Sequence, residues 1–421
     1  MANGTIYNII TWVIWVIWCL LSEIKENPTD FRFTEEQEGL RREVGAFLDA
    51  ELPPGWVGYL GGTTGDHVVD SDDGWRVFKA IARKLGEKGW LSLFWPREYG
   101  GQSRPFVDYL IFAEEIAHRG SPGYNPIAIK MLAPTLFDFG TEEQKERHLG
   151  PIARGEELWC EGFSEPGSGS DLASLQTKAV KDGSHFILNG QKTWSTFAQY
   201  SDWCCLLART DPYSRRSRGL SFFLVDLSTP GISVRPVRNL AGEPSFCEIF
   251  FEDARIPGEN MVGRENEGWV VAQALLGHER TSIEFVAMVQ SMMAAVAKYL
   301  ASAPRAPSAE MRHLLARLAI EAEVGRLINY RVAWLRDRGM ATDWHAAMAK
   351  LYSTELFKRA ASAGMQLLGA YAQLDRRENI APVGGWIGHM YLVSFGATIA
   401  AGTSEIQKNI IAVAGLGLPR R

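Results

Sequence analysis

Three short strings hold residue types that could do chemistry together. The first is Ser164-Glu165-Pro166-Gly167-Ser168-Gly169-Ser170-Asp171. Glycines and serines in such a turn expose backbone N–H groups and hydroxyls, a surface suited to an anionic or carbonyl-bearing ligand. No βαβ pattern surrounds it, so it is not a Rossmann loop. The second is Asn189-Gly190-Gln191-Lys192-Thr193-Trp194-Ser195-Thr196. A tryptophan and hydroxyls on one strand can stack on, and hydrogen-bond to, a flat heterocycle. The third, Gly402-Thr403-Ser404-Glu405-Ile406-Gln407, opens the final helix. A helix N-terminus preceded by Gly and hydroxyl residues suits a phosphate or pyrophosphate. Taken singly, the first has a bland alternative as a surface turn, and Trp194 in the second as a core tryptophan.

The elements that carry these strings read as helix, then strand, then helix. Thr34-Glu35-Glu36-Gln37 is a capping box, followed by Leu40, Val44, Phe47 and Leu48 at helical spacing. Pro53 and Pro54 end that helix, and residues 61–73 read as a Gly-, Thr- and Asp-rich loop. Trp75 to Leu85 and Val107 to Ala117 are amphipathic helices, and Thr141-Glu142-Glu143-Gln144 caps another. From Trp159 the texture becomes short alternating runs: 186–188, 203–208, 220–225, 232–234 and 249–251. Asn189-Gly190 is a hairpin signal, and strands with turns every ~8 to 12 residues imply a small antiparallel barrel or sandwich. Helical patterning resumes at Gly268 and runs on through Leu300, with a linker over 301–309 and further helices over 311–338, 344–369 and 390–414. Strands between blocks of helices indicate an α+β chain. The expected division is 30–158 helical, 159–265 β and 266–421 helical.

The 421 residues suggest roughly three domains at about 150 residues each. A net charge of −5 without long runs of either sign gives no basic footprint for nucleic acid. Five cysteines (Cys19, Cys160, Cys204, Cys205 and Cys247) show no metal spacing and read as reduced thiols of a cytoplasmic protein. The eight histidines form no HExxH pair or His/Cys cluster, so no metal site is expected. Residues 5–22 are uncharged and contain Trp12, Trp15 and Trp18, at the edge of spanning length. Three readings of residues 1–29 stay open: a mis-called start or non-native leader, a membrane anchor or interfacial segment, and a subunit-contact helix. Membrane contact, if any, is confined to residues 5–22.

In this order and spacing, the three strings, with Ala254-Arg255-Ile256-Pro257-Gly258-Glu259-Asn260-Met261-Val262-Gly263 after the strand region, resemble the acyl-CoA dehydrogenase family over roughly residues 30–420. The resemblance implies an N-terminal helical domain, a middle antiparallel β-domain and a C-terminal four-helix bundle. It implies FAD held between β-domain and bundle, and oxidation of an acyl-CoA thioester to the trans-2-enoyl thioester. A base takes the α-proton, and the β-hydride goes to flavin N5. By the same resemblance Ser164 bonds the isoalloxazine with Phe163 beside it, Gly169 and Ser170 make FAD-phosphate and thioester-side contacts, Trp194 lies against the flavin and Thr196 near N5. Thr403 and Glu405 contact cofactor at the last helix, and Gln366, with the turn at Gly369, reaches the adenine half of FAD across a dimer.

Many relatives place the catalytic Glu immediately before the final Gly-Thr-Ser, where this chain has Ala401, whose methyl cannot accept a proton. Ala401 and Gly402 then offer only backbone to the thioester. An alternative in the family puts a Glu-Arg pair on the first helix of the bundle, and here Gly277-His278-Glu279-Arg280-Thr281 matches it. Glu279 is therefore the expected base and Arg280 its substrate-side neighbour. Burial would raise such a carboxylate toward a useful pKa. Glu284 is expected on another face and a poor substitute. Residues 301–313 lack the Arg and Thr-Phe-Gly that relatives give to a neighbour's FAD, and the turn after Gln366 has Ala370 and Ala372 where further glycines are common. Both losses fit bacterial relatives that assemble as α2β2 heterotetramers, and homotetramer versus heterotetramer stays open. Electron-transfer flavoprotein is the expected acceptor. A same-fold oxidase or monooxygenase, and a non-catalytic partner subunit, are the competing readings.

Overall fold

A computed structural model describes residues 32–52, 72–214, 216–279, 281–303, 306–375 and 378–419. The apolar segment 5–22, Cys19, the proline pair 53–54 and residues 61–71 of the expected loop lie outside the described residues.

The described residues before Trp159 are mainly helical. Helix α1 (Glu35–Glu51) opens on the expected capping box: Gln37 N donates to Thr34 Oγ1 at 3.2 Å, and Thr34 N to Gln37 Oε1 at 3.0 Å. Then come α2 (Asp72–Glu87), which already includes the last two residues of the expected loop, and α3 (Phe106–Arg119). A π-turn (Ile127–Leu132) leads into α4 (Ala133–Phe139), and α5 (Glu142–Ala153) follows. Pro105 gives α3 no side-chain cap of its own. Asp337, from the far end of the chain, takes Phe106 N at 2.6 Å and Val107 N at 3.2 Å. The carboxylate of Glu114 on α3 is fully buried, accepting from Arg41 at 2.8 Å, Arg326 at 2.7 Å and Tyr330 Oη at 2.6 Å. Burial alone would raise its pKa. The two guanidiniums outweigh that and hold it below the ordinary carboxylate range.

Among the described residues eight strands form one sheet: β1 (Trp159–Gly162), β2 (Lys178–Asp182), β3 (His185–Thr196), β4 (Trp203–Arg209), β5 (Leu220–Asp226), β6 (Ile232–Val237), β7 (Phe246–Pro257) and β8 (Met261–Val262). Their order is β6-β7-β3-β2-β4-β5-β8, with β1 also on β4. Two pairings depart from the antiparallel expectation, β1 with β4 and β2 with β4, both parallel. The Asn189-Gly190 signal is not a hairpin. β3 runs through it, and the turn between β2 and β3 falls at 183–184. The register against β7 shifts between Leu188 and Gly190, and Asn189 exchanges hydrogen bonds with Asp253, itself at φ +51°. The left-handed tolerance that makes Asn-Gly a turn signal here makes a bulge. A Cβ on Gly190 would lie 2.7 Å from Thr177 Oγ1.

The expected long helix from Gly268 is two: α6 (Gly268–Glu279) and α7 (Ile283–Ser302). They are followed by α8 (Ala309–Asp337), α9 (Asp343–Leu368), α10 (Trp386–Ala397) and α11 (Ser404–Ile410). The helix expected over 390–414 is thus also broken, at 398–403, where Ala401 (φ +54°) and Gly402 (φ +81°) leave helical space. One continuous core joins α1–α3 to the inward face of the sheet (Leu207, Phe222, Leu224) and to Val271, Leu275 and Ile283. Burial of this shared apolar surface, at about 25 cal/mol per Å², fixes the helices relative to the sheet.

Candidate functional site

The Ser164–Asp171 loop is clasped onto β3. Lys192 sits on the inward face of that strand, fully buried. Its Nζ donates to Phe163 O at 3.0 Å and to Glu165 Oε1 at 2.9 Å. Glu165 also accepts from Gln176 N (2.6 Å) and Thr177 N (2.8 Å), and Thr193 N donates to Ser164 O at 2.9 Å. Burial lowers the Lys192 pKa to about 8 although Glu165 opposes the fall. Burial also acts to raise Glu165, but Lys192 and the amides hold it low, so both groups are charged at neutral pH. Phe163 is buried edge-on to Phe222, with centroids 6.0 Å apart. Ser164 is half-buried, whereas Gly169 and Ser170 are exposed. A Cβ added at Gly167 or Gly169 would meet nothing within 4 Å, so that side of the loop is open to a ligand.

At the end of β3 the register slips again, between Lys192 and Ser195. Trp194 stands there at φ +62°, 58 % exposed, its ring edge-on to Phe246 at 5.8 Å. A bulky residue in left-handed space is an outlier that the surrounding structure must impose. The bulge turns the indole outward instead of into the core. Ser195 Oγ is buried without a hydrogen-bond partner, and Thr196, opposite Phe246, is half-buried.

The third string forms a corner. Gln407 Nε2 donates to Ala401 O at 2.8 Å, and Lys350 Nζ to Gly402 O at 2.9 Å. Thr403 Oγ1 caps α11 by accepting from Ile406 N at 3.3 Å, and Ser404 Oγ donates to Glu355 at 2.6 Å. Glu405 is exposed in the first turn, its carboxyl held low by its own backbone N–H and by Thr403. Ala401 is half-buried and offers no proton acceptor on its side chain.

Gln366 and Gly369 line a separate groove of about 1010 Å³, with Arg238 and Gly242 from the loop after β6 and His389 from α10. In its wall His389 Nε2 lies 2.9 Å from the buried Glu243. Glu279 is the last residue of α6; Arg280 lies outside the described residues. His278, just before it, accepts from Arg336 at 3.3 Å, and burial with that guanidinium lowers its pKa to about 4. Glu284, expected on another helix face, is buried beside Lys130 at 3.7 Å.

The structure therefore unites Phe163, Ser164, Trp194 and Thr196 on one clasped scaffold, Ala401 to Glu405 on a second, and Gln366 with Gly369 on a third. Sequence reading missed the roles of Lys192, Glu165 and Arg238. A signal existed for the first: a lysine at an inward position of an alternating strand requires a buried partner.

The chain matches the acyl-CoA dehydrogenase N-terminal domain over residues 34–156, the middle domain over 160–254 and the C-terminal domain over 266–416. It is 36 % identical over 401 residues to acyl-CoA dehydrogenase FadE26 of Mycobacterium tuberculosis, covering 92 % of this chain and 98 % of that one. Among solved structures it is similar to the ChsE4-ChsE5 complex from Mycobacterium tuberculosis, with TM-score 0.83 and 34 % identity over 93 % of this chain and all of that one. It is also similar to the Tcur3481-Tcur3483 steroid ACAD, with TM-score 0.81 and 28 % identity, again over 93 % of this chain and all of that one.

Proposed function

Since the chain belongs to the acyl-CoA dehydrogenase family, and is thus an FAD-dependent oxidoreductase acting on acyl-CoA, we propose that Glu279 is the base that takes the substrate's α-proton. The observation that carries this reading is the pair of helix interruptions. One presents Ala401, which has no acceptor, and the other directly follows Glu279.

The residues present suit FAD. The Trp194 indole is turned outward, Ser195 Oγ is a buried polar atom without a partner, and the loop's open side lies at Gly167 and Gly169. Phe163, Ser164, Trp194 and Thr196 would hold the ring system, and Gly169, Ser170, Thr403 and Glu405 its polar chain. Bound FAD supplies the hydride acceptor for the β-carbon. Lys192 and Glu165 keep the loop in shape. The N–H groups around Ala401 and Gly402, in a corner fixed by Gln407 and Lys350, are donors for the thioester oxygen as it gains negative charge. Glu279 accepts the proton and must do so within about 3 Å of the α-carbon.

The altered turn after Gln366, and neighbours described as the ChsE4-ChsE5 complex and a steroid ACAD, support two finer proposals. The chain pairs with a second, different subunit that completes the groove at Gln366, Gly369 and Arg238. A bulky steroid-side-chain thioester is the first substrate class to assay, with electron-transfer flavoprotein as acceptor.

The test is Glu279→Gln. Loss of a positioned general base lowers kcat by ~10²- to 10⁴-fold, with FAD per chain unchanged. Turnover equal to the unaltered enzyme would remove Glu279 from the reaction.

A further inference from the structure

Four buried polar side chains lie between the N-terminal helices and the start of α7, and the chemistry above uses none of them. Lys130, in the π-turn, has a side chain 5 % exposed, as has that of Glu284, with Nζ 3.7 Å from Glu284 Oε1. Tyr124 Oη donates to Glu284 at 3.4 Å and is itself paired with Tyr109 Oη. Burial raises both phenols, so they stay neutral. Stability alone does not call for this arrangement, since apolar side chains of similar volume usually serve a core as well as a buried ion pair does.

What the cluster does hold is the break between α6 and α7. Lys130 Nζ donates to Thr281 O at 3.0 Å. One residue on, Ser282 N donates to Asn329 Oδ1 at 2.8 Å, and Asn329 is fixed by Gly325 O (2.9 Å) and Ser353 Oγ (3.0 Å). On the other side, Arg336 holds His278. Glu279, the last residue of α6, is therefore preceded by a fixed point at 278 and followed by fixed points at 281 and 282. Without Lys130 the Thr281 carbonyl would lose its partner in the core. Thr281 Oγ1 is already buried without one, so the bond from Lys130 ties residue 281 itself, beside the tie of Ser282 to Asn329.

We propose that Lys130 is a positioning residue for proton abstraction, acting through the Thr281 carbonyl on the break that follows Glu279, with Glu284 as its counter-charge. This rests on the reading of Glu279 as base. A displacement of about 1 Å at a reacting group can cost 10²-fold in rate.

The experiment compares FAD-loaded Lys130→Met, Lys130→Arg and Glu279→Gln with the unaltered enzyme. The assay uses butyryl-CoA, octanoyl-CoA or a steroid-side-chain CoA thioester, whichever the unaltered enzyme turns over fastest. Amide hydrogen exchange is followed over residues 278–286. Lys130→Met is expected to lower kcat by about 10- to 100-fold with KM within threefold and FAD per chain unchanged, while exchange at Ser282 and Ile283 accelerates. Lys130→Arg, which keeps a donor, is expected to stay within about threefold of the original kcat. If Lys130→Met does not fold, Lys130→Gln is read by the same measurements. Unchanged kcat and exchange in the uncharged variant overturn the proposal, as does a loss confined to KM or to FAD content. If Glu279→Gln alone keeps full turnover, the base assignment fails, whatever Lys130 does.

Discussion

Thr193 N donates to Ser164 O at 2.9 Å, so the strand that carries Trp194 and the glycine-serine loop are one rigid piece. Lys192 locks the same join from beneath, at Phe163 O and Glu165. Lys192→Met leaves the Glu165 carboxylate without its cation and the Phe163 carbonyl without a donor. Removing one partner of a buried pair costs about 3–5 kcal/mol. Urea unfolding is expected to show a loss of that size, and the purified variant to carry less than half the FAD per chain. A loss under about 1 kcal/mol would mean the clasp is dispensable.

Replacing Trp194 is expected to separate stability from cofactor contact. It buries little and sits at φ +62°. Trp194→Gly removes a left-handed penalty of about 1–2 kcal/mol, which offsets the lost packing of the indole on Phe246. The flavin-free protein is expected to unfold at the same or a higher urea concentration, while the absorbance and fluorescence of bound FAD change. Unaltered flavin spectra would place the indole away from the ring.

Ala401, like Trp194, is a non-glycine residue in left-handed space. Ala401→Gly is expected to stabilise the chain by up to about 1 kcal/mol and leave kcat within twofold, because the methyl takes no proton. A large fall in kcat would give the Ala401 side chain a role in the reaction.

Acid sensitivity follows from His278 and His345. Burial lowers both to about 4, with Arg336 adding to the first and Arg331 to the second. In the unfolded chain each titrates near 6.5. Between these values the unfolded state binds more protons, so stability rises with pH across this window. It is full above about 6.5 and is lost as pH falls toward 4. His345→Gln keeps a residue suited to the third position of the Thr342 capping box. It is expected to show a smaller drop in urea midpoint between pH 7 and pH 5 than the unaltered chain. Equal drops would exclude His345 from the acid response.

The order of helix and strand was legible because capping boxes at Thr34 and Thr141 and the short apolar run at 203–208, buried along its whole length, are local signals. The two helix breaks were not. Residues 268–302 and 390–414 are apolar enough to read as continuous, and the interruptions are held by partners far along the chain: Lys130 and Asn329 at one, Lys350 at the other. The same limit applies to the site. Trp194 stood out by type, but its outward orientation depends on a slip of register against β7 that no string of residues announces. Asn189-Gly190 shows the reverse case: the local preference was read correctly, but β7 turned it into a bulge.

Asp337 caps α3 across 231 residues of chain, and Arg326 neutralises Glu114 across 212. At synthesis rates of about 5–20 residues per second, α3 emerges from the ribosome roughly ten seconds or more before either partner exists. During that interval its first amides are uncapped and Glu114 lacks one of its two guanidiniums. The early helices therefore cannot settle in the order they are made. A nascent chain stalled before residue 326 would expose the apolar faces of α1 and α3 to chaperones, and release of the last hundred residues would close the first hundred.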